Sequence, residues 1–229
     1  MQFAVKAILI DLDGTLIDTA PEIARAANVM LAAVNLPTQS ASQIKSYIGE
    51  GALVLIERCL KQALYGAPND GVVDDALLAE AKAVFFSAYA NIVTESQAYT
   101  AVKESLAKLH QLGFKLACIT NKPASFTEPL LKNADLYQYF SVVVSGDTLP
   151  QKKPDPAPLH FACNVLGVTI QNAVMVGDSK TDILAARNAG CAALAVAGGY
   201  NQGLAITASE VDVLLPNFAA LLEYVKLET

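Results

Sequence analysis

Two aspartates lie two positions apart directly after the first apolar run of the chain. Residues 5–10 have the pattern of a buried strand, which ends at the segment Asp11-Leu12-Asp13-Gly14-Thr15. Because side chains alternate along an extended strand, the carboxylates of Asp11 and Asp13 can face the same side, about 6 to 7 Å apart. Gly14 allows the backbone to turn closely around a ligand. The segment is a candidate for carboxylate chemistry, although such a segment alone is often a polar turn.

Three further apolar runs also end in polar residues. They are followed by Thr120-Asn121-Lys122, by a loop that contains Lys153, and by Gly177-Asp178-Ser179 with Asp182. Ligands of a doubly wound sheet bind beyond the carboxyl ends of its strands, so we expect these groups to converge at one edge. Gly-Asp-Ser alone is an ordinary helix start, and a lysine among prolines is an ordinary loop residue. Their joint occurrence in this order favours a shared site.

The expected cluster predicts a hard divalent cation. Asp11, Asp13 and Asp178 would repel one another by ~4 kcal/mol per pair at 4 Å and an effective dielectric of about 20, unless a cation intervenes. Mg²⁺ fits best because it binds few carboxylates and keeps positions open for phosphate oxygens. Lys153 and Thr120 offer a positive charge and a hydroxyl to the same oxygens. The helix expected to open after Thr120 would point free N–H groups at the same oxygens.

Phosphoryl transfer through an aspartyl-phosphate uses all of these groups. Asp11 is the predicted nucleophile at phosphorus, and Asp13 is predicted to protonate the leaving oxygen and then to deprotonate the hydrolytic water. The two histidines, His110 and His160, lie in predicted helices, so histidine catalysis has little support. Gly49-Glu50-Gly51 lacks the third glycine and the preceding strand of a dinucleotide-binding loop, which excludes that function.

The elements that position these residues change along the chain. From Thr19 to about Ile92 the pattern is helical, and it starts with the capping-box spacing of Thr19-Ala20-Pro21-Glu22. After this block, strands and helices alternate, which predicts a parallel sheet covered on both faces. The predicted strands span 115–119, 142–144, 173–176, 192–196 and 211–214, and the helices 102–112, 156–166, 181–189 and 218–225. The predicted fold class is α/β: a doubly wound, Rossmann-like sheet domain (1–17 and 96–229) with an inserted all-helical cap domain (18–95).

Composition excludes several classes of protein. The 229 residues are 53% hydrophobic, yet no apolar run approaches the ~18 residues that a membrane-spanning helix needs. The net charge of −6 provides no basic field for nucleic acid. The four cysteines form no CxxC pair and have the apolar neighbours of buried thiols in a reducing cytosol. Lys6 and the early aspartates do not fit a signal peptide, so we expect a cytoplasmic protein, monomeric or homodimeric.

Together the polar segments resemble those of the haloacid-dehalogenase superfamily of phosphatases with a helical cap, over essentially the whole chain. The matching segments are Asp11-Leu12-Asp13-Gly14-Thr15-Leu16, Thr120, Lys153 in Lys-Pro-Asp-Pro, and Gly177-Asp178-Ser179-Lys180-Thr181-Asp182. The resemblance implies that Asp11, the main-chain carbonyl of Asp13, and Asp178 hold Mg²⁺. It also implies that Asp182 supports these ligands without binding the ion.

Within that superfamily the chain is most similar to bacterial phosphatases that act on 2-phosphoglycolate. The similarity lies in Tyr47-Ile48-Gly49-Glu50-Gly51-Ala52 with Arg58, Thr120-Asn121-Lys122-Pro123, Lys152-Lys153-Pro154-Asp155-Pro156-Ala157-Pro158-Leu159, and Gly199-Tyr200-Asn201. Glu50, Asp155 and Thr100-Ala101 depart from that subfamily's usual residues. The implied substrate is a small phosphorylated metabolite, 2-phosphoglycolate first. A sugar phosphate, an amino-sugar phosphate or a nucleotide is the alternative.

Substrate recognition is expected from the sheet edge and the cap together. Gly14 and Asn121 are the predicted substrate contacts of the sheet domain, whereas Gly49 and Gly51 permit a cap loop to approach closely. Arg58, about two turns beyond this loop, is predicted to neutralise a substrate carboxylate. The alternative is that Arg58 pairs with Glu57 or another neighbour on the helix surface.

Three other functions fit less well. A dehalogenase lacks the second aspartate of the first segment, so Asp13 argues against it. A hexose-phosphate mutase carries a histidine where this chain has Thr19-Ala20-Pro21-Glu22. A signalling receiver domain, which also groups acidic residues around a phospho-accepting aspartate, is much shorter and has no inserted cap.

Overall fold

A parallel sheet forms the centre of the protein, as predicted. The computed structural model describes residues 2–228. In chain order the strands are β1 (Phe3–Val5), β2 (Ala7–Ile10), β3 (Ile17–Asp18), β4 (Gln97–Ala98), β5 (Lys115–Ile119), β6 (Val142–Val144), β7 (Ala173–Gly177), β8 (Ala192–Val196), β9 (Val213–Leu215) and β10 (Val225–Leu227). Six of them form the central sheet, in the spatial order β6-β5-β2-β7-β8-β9.

The register of the central strands explains why polar segments converge. Strand β2 is fully buried and lies between β5 and β7, with Ile10 opposite both Cys118 and Val176. The residues that follow these three positions therefore leave the sheet side by side at the same edge. Apolar clusters cover both faces of the sheet, so the strands are held without polar side chains of their own.

Helices cover the sheet and form the block between β3 and β4. They are α1 (Ala20–Ala33), α2 (Ala41–Lys45), α3 (Ala52–Tyr65), α4 (Asp75–Ala90), α5 (Val102–Gln111), α6 (Ala124–Asn133), α7 (Ala157–Leu166), α8 (Lys180–Ala189) and α9 (Leu221–Tyr224). The sequence pattern missed the short helix α2 and the two-residue strands. Strands β3 and β4 pair antiparallel, with Ile17 opposite Ala98. The division into domains at 17/18 and 95/96 stays a proposal.

Two predicted elements at the ends of the chain were wrong in part. The strand predicted over 5–10 is broken at Lys6 into β1 and β2, and β1 pairs in parallel with β10 in a separate two-stranded sheet. The helix predicted over 218–225 is a 3₁₀ turn (Phe218–Ala220) followed by α9, and the chain then becomes β10. The backbone of β1, at the edge of the molecule, obtains its hydrogen bonds from β10.

The predicted capping box at Thr19 is also wrong. The Thr19 side chain makes no capping bond to α1, and its hydroxyl donates instead to Asp13 Oδ1 at 2.7 Å. Glu22 accepts a hydrogen bond from the hydroxyl of Ser96. The backbone N–H of Thr19, which Glu22 would bind in a capping box, donates to the hydroxyl of Tyr200 at 2.7 Å, so tertiary contacts have replaced the local capping pattern.

Candidate active site

Three carboxylates meet at the edge where β2 and β7 end. One oxygen each of Asp11, Asp178 and Asp182 lies within 4.8 Å of the others, and all three residues are buried. Asp11 directly follows β2, Asp178 directly follows β7, and Asp182 lies in the first turn of α8. The predicted cluster contained Asp13 beside Asp11 and Asp178, whereas the structure places Asp182 in this group instead.

Lys153 is the cation at the centre of this cluster. Its ammonium donates to Asp11 Oδ1 and to Asp182 Oδ1, both at 2.7 Å, and to the carbonyl of Ile119 at 2.6 Å. Lys153 is 4% exposed, so these three bonds use all of its N–H groups away from water. Burial lowers the pKa of Lys153, but the charges of Asp11 and Asp182 raise it by more, so the pKa is raised overall and the group stays protonated.

The cluster keeps an excess of negative charge. Three carboxylates and one ammonium give −3 + 1 = −2 when all are ionised. Burial and the charge of Asp182 raise the pKa of Asp11 to about 7, although Lys153 opposes this effect. Burial, Asp11 and Asp182 also raise the pKa of Asp178 well above its usual range. An all-oxygen donor set with two uncompensated charges fits a hard divalent cation.

Asp13 lies outside the three-carboxylate group and has its own partners. Lys122 Nζ lies 2.8 Å from Asp13 Oδ1 and 3.1 Å from Oδ2, and Thr19 donates to the same Oδ1. The side chain of Lys122 is 4% exposed and that of Asp13 is 14% exposed. Lys122 had no role predicted from the sequence, although it stands next to Asn121 at the same strand end. The structure therefore adds Lys122 to the candidate site.

The backbone around Asp178 leaves no room for additional side-chain atoms. Gly14 has φ +84°, and a Cβ at this position would lie 2.2 Å from Asp178 Oδ2. Asp178 accepts hydrogen bonds from Thr15 Oγ1 at 3.2 Å and from the backbone N–H of Tyr200 at 2.6 Å. The close turn predicted at Gly14 thus brings the first segment against Asp178. Thr15 and Tyr200 lie in segments that carry the family resemblance, but neither was assigned a role from the sequence.

Asp182 accepts hydrogen bonds from backbone N–H groups in addition to the one from Lys153. Its Oδ2 accepts hydrogen bonds from the N–H groups of Asp178 and Ser179 and from the Ser179 hydroxyl. Ser179 and Asp182 form the capping box of α8, which fixes the turn that carries Asp178. This carboxylate therefore joins Lys153, the metal-ligand candidate Asp178 and a helix N-terminus.

Thr120 and Asn121 organise the neighbouring loops. Thr120 Oγ1 accepts from the N–H of Lys122, and the helix expected after Thr120 begins at Ala124. Between the two, the chain passes through Pro123, whose backbone is extended. Asn121 donates to the carbonyls of Gly49 and Lys153 and accepts from the N–H of Lys153. One side chain thus links the helical block to the lysine loop.

A cavity of about 50 Å³ opens between this edge and the helical block. The predicted site residues that line it are Asp11, Asp13, Gly49, Gly51, Thr120 and Asn121. Arg58 does not line it, and its guanidinium pairs with Glu50 at 2.7 Å. Gln202 donates to the same Glu50 oxygen. Binding of a substrate by Arg58 stays a prediction, and it would require this ion pair to open.

Two global expectations can also be compared with the structure. The four cysteines are unpaired and buried, which confirms their prediction as core thiols. Among residues 2–228, no helix combines the length and the hydrophobicity needed to cross a bilayer.

Comparisons with known proteins agree with the arrangement of these segments. Residues 8–196 match the family model of haloacid dehalogenase-like hydrolases. Phosphoglycolate phosphatase of Thiobacillus denitrificans is 43% identical over 216 residues, 94% of this chain and 93% of that protein. The enzyme of the same name from Nitrosospira multiformis is 44% identical over 93% of this chain and 92% of its own length.

A solved structure shows the same fold. The crystal structure of a predicted phosphoglycolate phosphatase from Haemophilus somnus superposes with a TM-score of 0.90 at 36% identity, and covers 97% of this chain and 98% of that one. The match extends over the sheet and the helical block alike. With the family model covering most of the chain, the family resemblance is confirmed: this protein belongs to the haloacid dehalogenase-like hydrolases.

Proposed function

We propose that this protein is a Mg²⁺-dependent phosphomonoesterase that hydrolyses 2-phosphoglycolate to glycolate and phosphate through an aspartyl-phosphate. The observation that carries the proposal is Asp11, a buried carboxylate that faces the small cavity while Lys153 holds one of its oxygens. The names of the relatives at 43% and 44% identity support 2-phosphoglycolate as the substrate. The cavity volume of about 50 Å³ also favours a small leaving group.

Asp11 acts as the nucleophile in the first step. Lys153 fixes Oδ1, so Oδ2 attacks phosphorus, a new P–O bond forms and the bond to glycolate breaks. Asp13, which lines the same cavity, donates the proton that the leaving oxygen takes up. Thr120 lies on the cavity wall and offers its hydroxyl to a phosphate oxygen.

Asp13 acts as the base in the second step. It removes a proton from a water molecule whose oxygen attacks phosphorus, which breaks the bond to Asp11 and restores the free carboxylate. Lys122 and Thr19 hold Asp13 in the orientation described above. The proton gained here is the one that the next leaving group requires.

Asp11, the main-chain carbonyl of Asp13, and Asp178 would hold Mg²⁺. When bound, the ion supplies the positive charge that offsets the −2 of the cluster and polarises the phosphate oxygens. Asp182 keeps Asp178 and Lys153 in place. Gly14, Asn121, Gly49, Gly51 and Arg58 remain the proposed substrate contacts. We also propose a cytoplasmic enzyme, monomeric or homodimeric, and the four unpaired cysteines support that compartment.

A phosphate-release assay against a substrate panel tests this function. The panel contains 2-phosphoglycolate, hexose phosphates, amino-sugar phosphates and nucleotides, each measured with Mg²⁺ and with excess chelator. We expect the highest kcat/KM for 2-phosphoglycolate and loss of activity in chelator. Preference for another phosphate would refute the substrate, whereas failure to hydrolyse any member would refute the enzymatic proposal.

A further inference from the structure

The hydroxyl of Tyr89 is buried in the candidate site and its O–H finds no acceptor among residues 2–228, because the Lys122 ammonium beside it can only donate. Tyr89 lies near the end of α4, is 2% exposed and lines the cavity. A buried polar group that has lost water and gained no partner costs about 1 to 3 kcal/mol. Such a group in a binding cavity indicates that a ligand atom completes it.

The rest of the helical block offers apolar walls. Among the described residues, the side chains from this block that line the cavity are, apart from Tyr89, Ile23, Ile48, Ala52, Leu55 and Phe85. Tyr89 therefore supplies the side-chain hydrogen-bond donor on that wall. Burial raises the pKa of Tyr89 to about 12, so its O–H is present at neutral pH.

A cation lies next to this hydroxyl-bearing ring. Lys122 Nζ is 4.9 Å from the centroid of the Tyr89 ring and also bonds to Asp13. Phe85 stacks on the ring at 5.7 Å, and Phe126 packs against it edge-on at 5.0 Å. These contacts hold the ring in one orientation. A fixed O–H donor beside an ammonium is suited to a carboxylate.

We propose that Tyr89 is a specificity-determining residue that donates its O–H to the carboxylate of the substrate, beside the ammonium of Lys122. This inference rests on the proposed function and names the group that recognises the part of 2-phosphoglycolate that is not transferred. The phosphate end is then bound by the sheet edge, and the acid end by α4 and Lys122.

The test compares Tyr89→Phe with the wild type on two substrates. One is 2-phosphoglycolate, and the other is ethyl phosphate, in which a methyl group replaces the carboxylate. We expect KM for 2-phosphoglycolate to rise about tenfold or more, the loss of one hydrogen bond to a charged group, with kcat within about threefold. For ethyl phosphate, kcat and KM should both stay within about twofold.

Tyr65→Phe is the matched control, because it removes a hydroxyl from an exposed tyrosine of the helical block that bonds to the carbonyl of Val72. It should leave both substrates unaffected. Equal losses on both substrates with Tyr89→Phe would assign Tyr89 to the positioning of Lys122 and overturn the proposal, as would an unchanged KM. Wild-type enzyme inactive on 2-phosphoglycolate would refute the proposed function instead, so the two failures are distinguishable.

Discussion

Asp11→Asn should remove turnover and stabilise the metal-free protein. The amide keeps the shape of the side chain but is a poor nucleophile and carries no charge. The pKa of Asp11 rises from 3.8 to about 7 on folding, so the ionised carboxylate destabilises the folded state. At ~1.4 kcal/mol per pKa unit, the difference of about 3 units corresponds to at most about 4 kcal/mol at pH 8.

The direction of this effect depends on pH. An acid with a raised pKa binds more protons in the folded state, so its contribution to stability declines as pH rises from about 4 to about 7. Asp11→Asn removes that decline. At 2 to 4 °C per kcal/mol for a chain of this size, we expect Tm in chelator at pH 8 to rise by several degrees, up to about 16 °C, and much less at pH 4.

The assays are phosphate release with 2-phosphoglycolate and thermal unfolding with chelator or with Mg²⁺. Mg²⁺ should raise the Tm of the wild type more than that of Asp11→Asn, because the variant has lost a ligand charge. Asp70→Asn makes the same chemical change in an exposed loop and should match the wild type. Turnover of Asp11→Asn within tenfold of the wild type would refute its role as nucleophile, and a lower Tm in chelator would refute the electrostatic argument.

Three further predictions follow from the same contacts. The increase in Tm caused by Mg²⁺ should be larger at pH 8 than at pH 5, because the raised pKa values of Asp11 and Asp178 let protons compete at low pH; an opposite trend would contradict this. Asp182→Ala should lower the free energy of unfolding by about 3 to 5 kcal/mol, because Lys153 and the α8 cap lose a buried partner, and it should lower Tm more than Asp178→Ala does; the reverse order in thermal melts would be inconsistent with that role. Arg58→Ala should lower kcat/KM for 2-phosphoglycolate about tenfold or more and leave ethyl phosphate within about twofold, because a hydrogen bond to a charged group is lost; a loss below threefold on 2-phosphoglycolate would remove Arg58 from the substrate contacts and leave it only the partly exposed ion pair with Glu50.

The sequence predicted the convergence of the site because that convergence depends on strand register. Buried parallel strands appear as short apolar runs, and their carboxyl ends share one edge of the sheet. Asp11, Thr120, Lys153 and Asp178 could therefore be identified without knowing the strand order. The close turn at Gly14 could be predicted for a related reason, since only a residue without Cβ can turn so close to a neighbouring carboxylate.

Partners that are distant in sequence could not be predicted in this way. Lys122 and Asp13 are 109 positions apart, and Tyr200 and Thr19 are 181 positions apart. Nothing in the local pattern of either segment specifies its partner. Thr19 shows the reverse case, where a valid local capping pattern was overridden by a carboxylate brought close by the fold. The strand β10 was missed because its few residues follow a helical pattern without a turn signal.

The short antiparallel pair of β3 and β4 has a consequence for how new specificities could arise. The chain leaves the sheet domain at Asp18 and returns at Gln97, and these two residues are direct partners in the ladder. The intervening 78 residues therefore form a loop whose two ends are already joined by the backbone of the host, so an insert of different length adds little closure entropy. A segment from a relative could be exchanged at this junction while the carboxylates and Lys153 stay in place. Such chimaeras would show whether the reaction is determined by the sheet domain and the substrate preference by the exchanged segment.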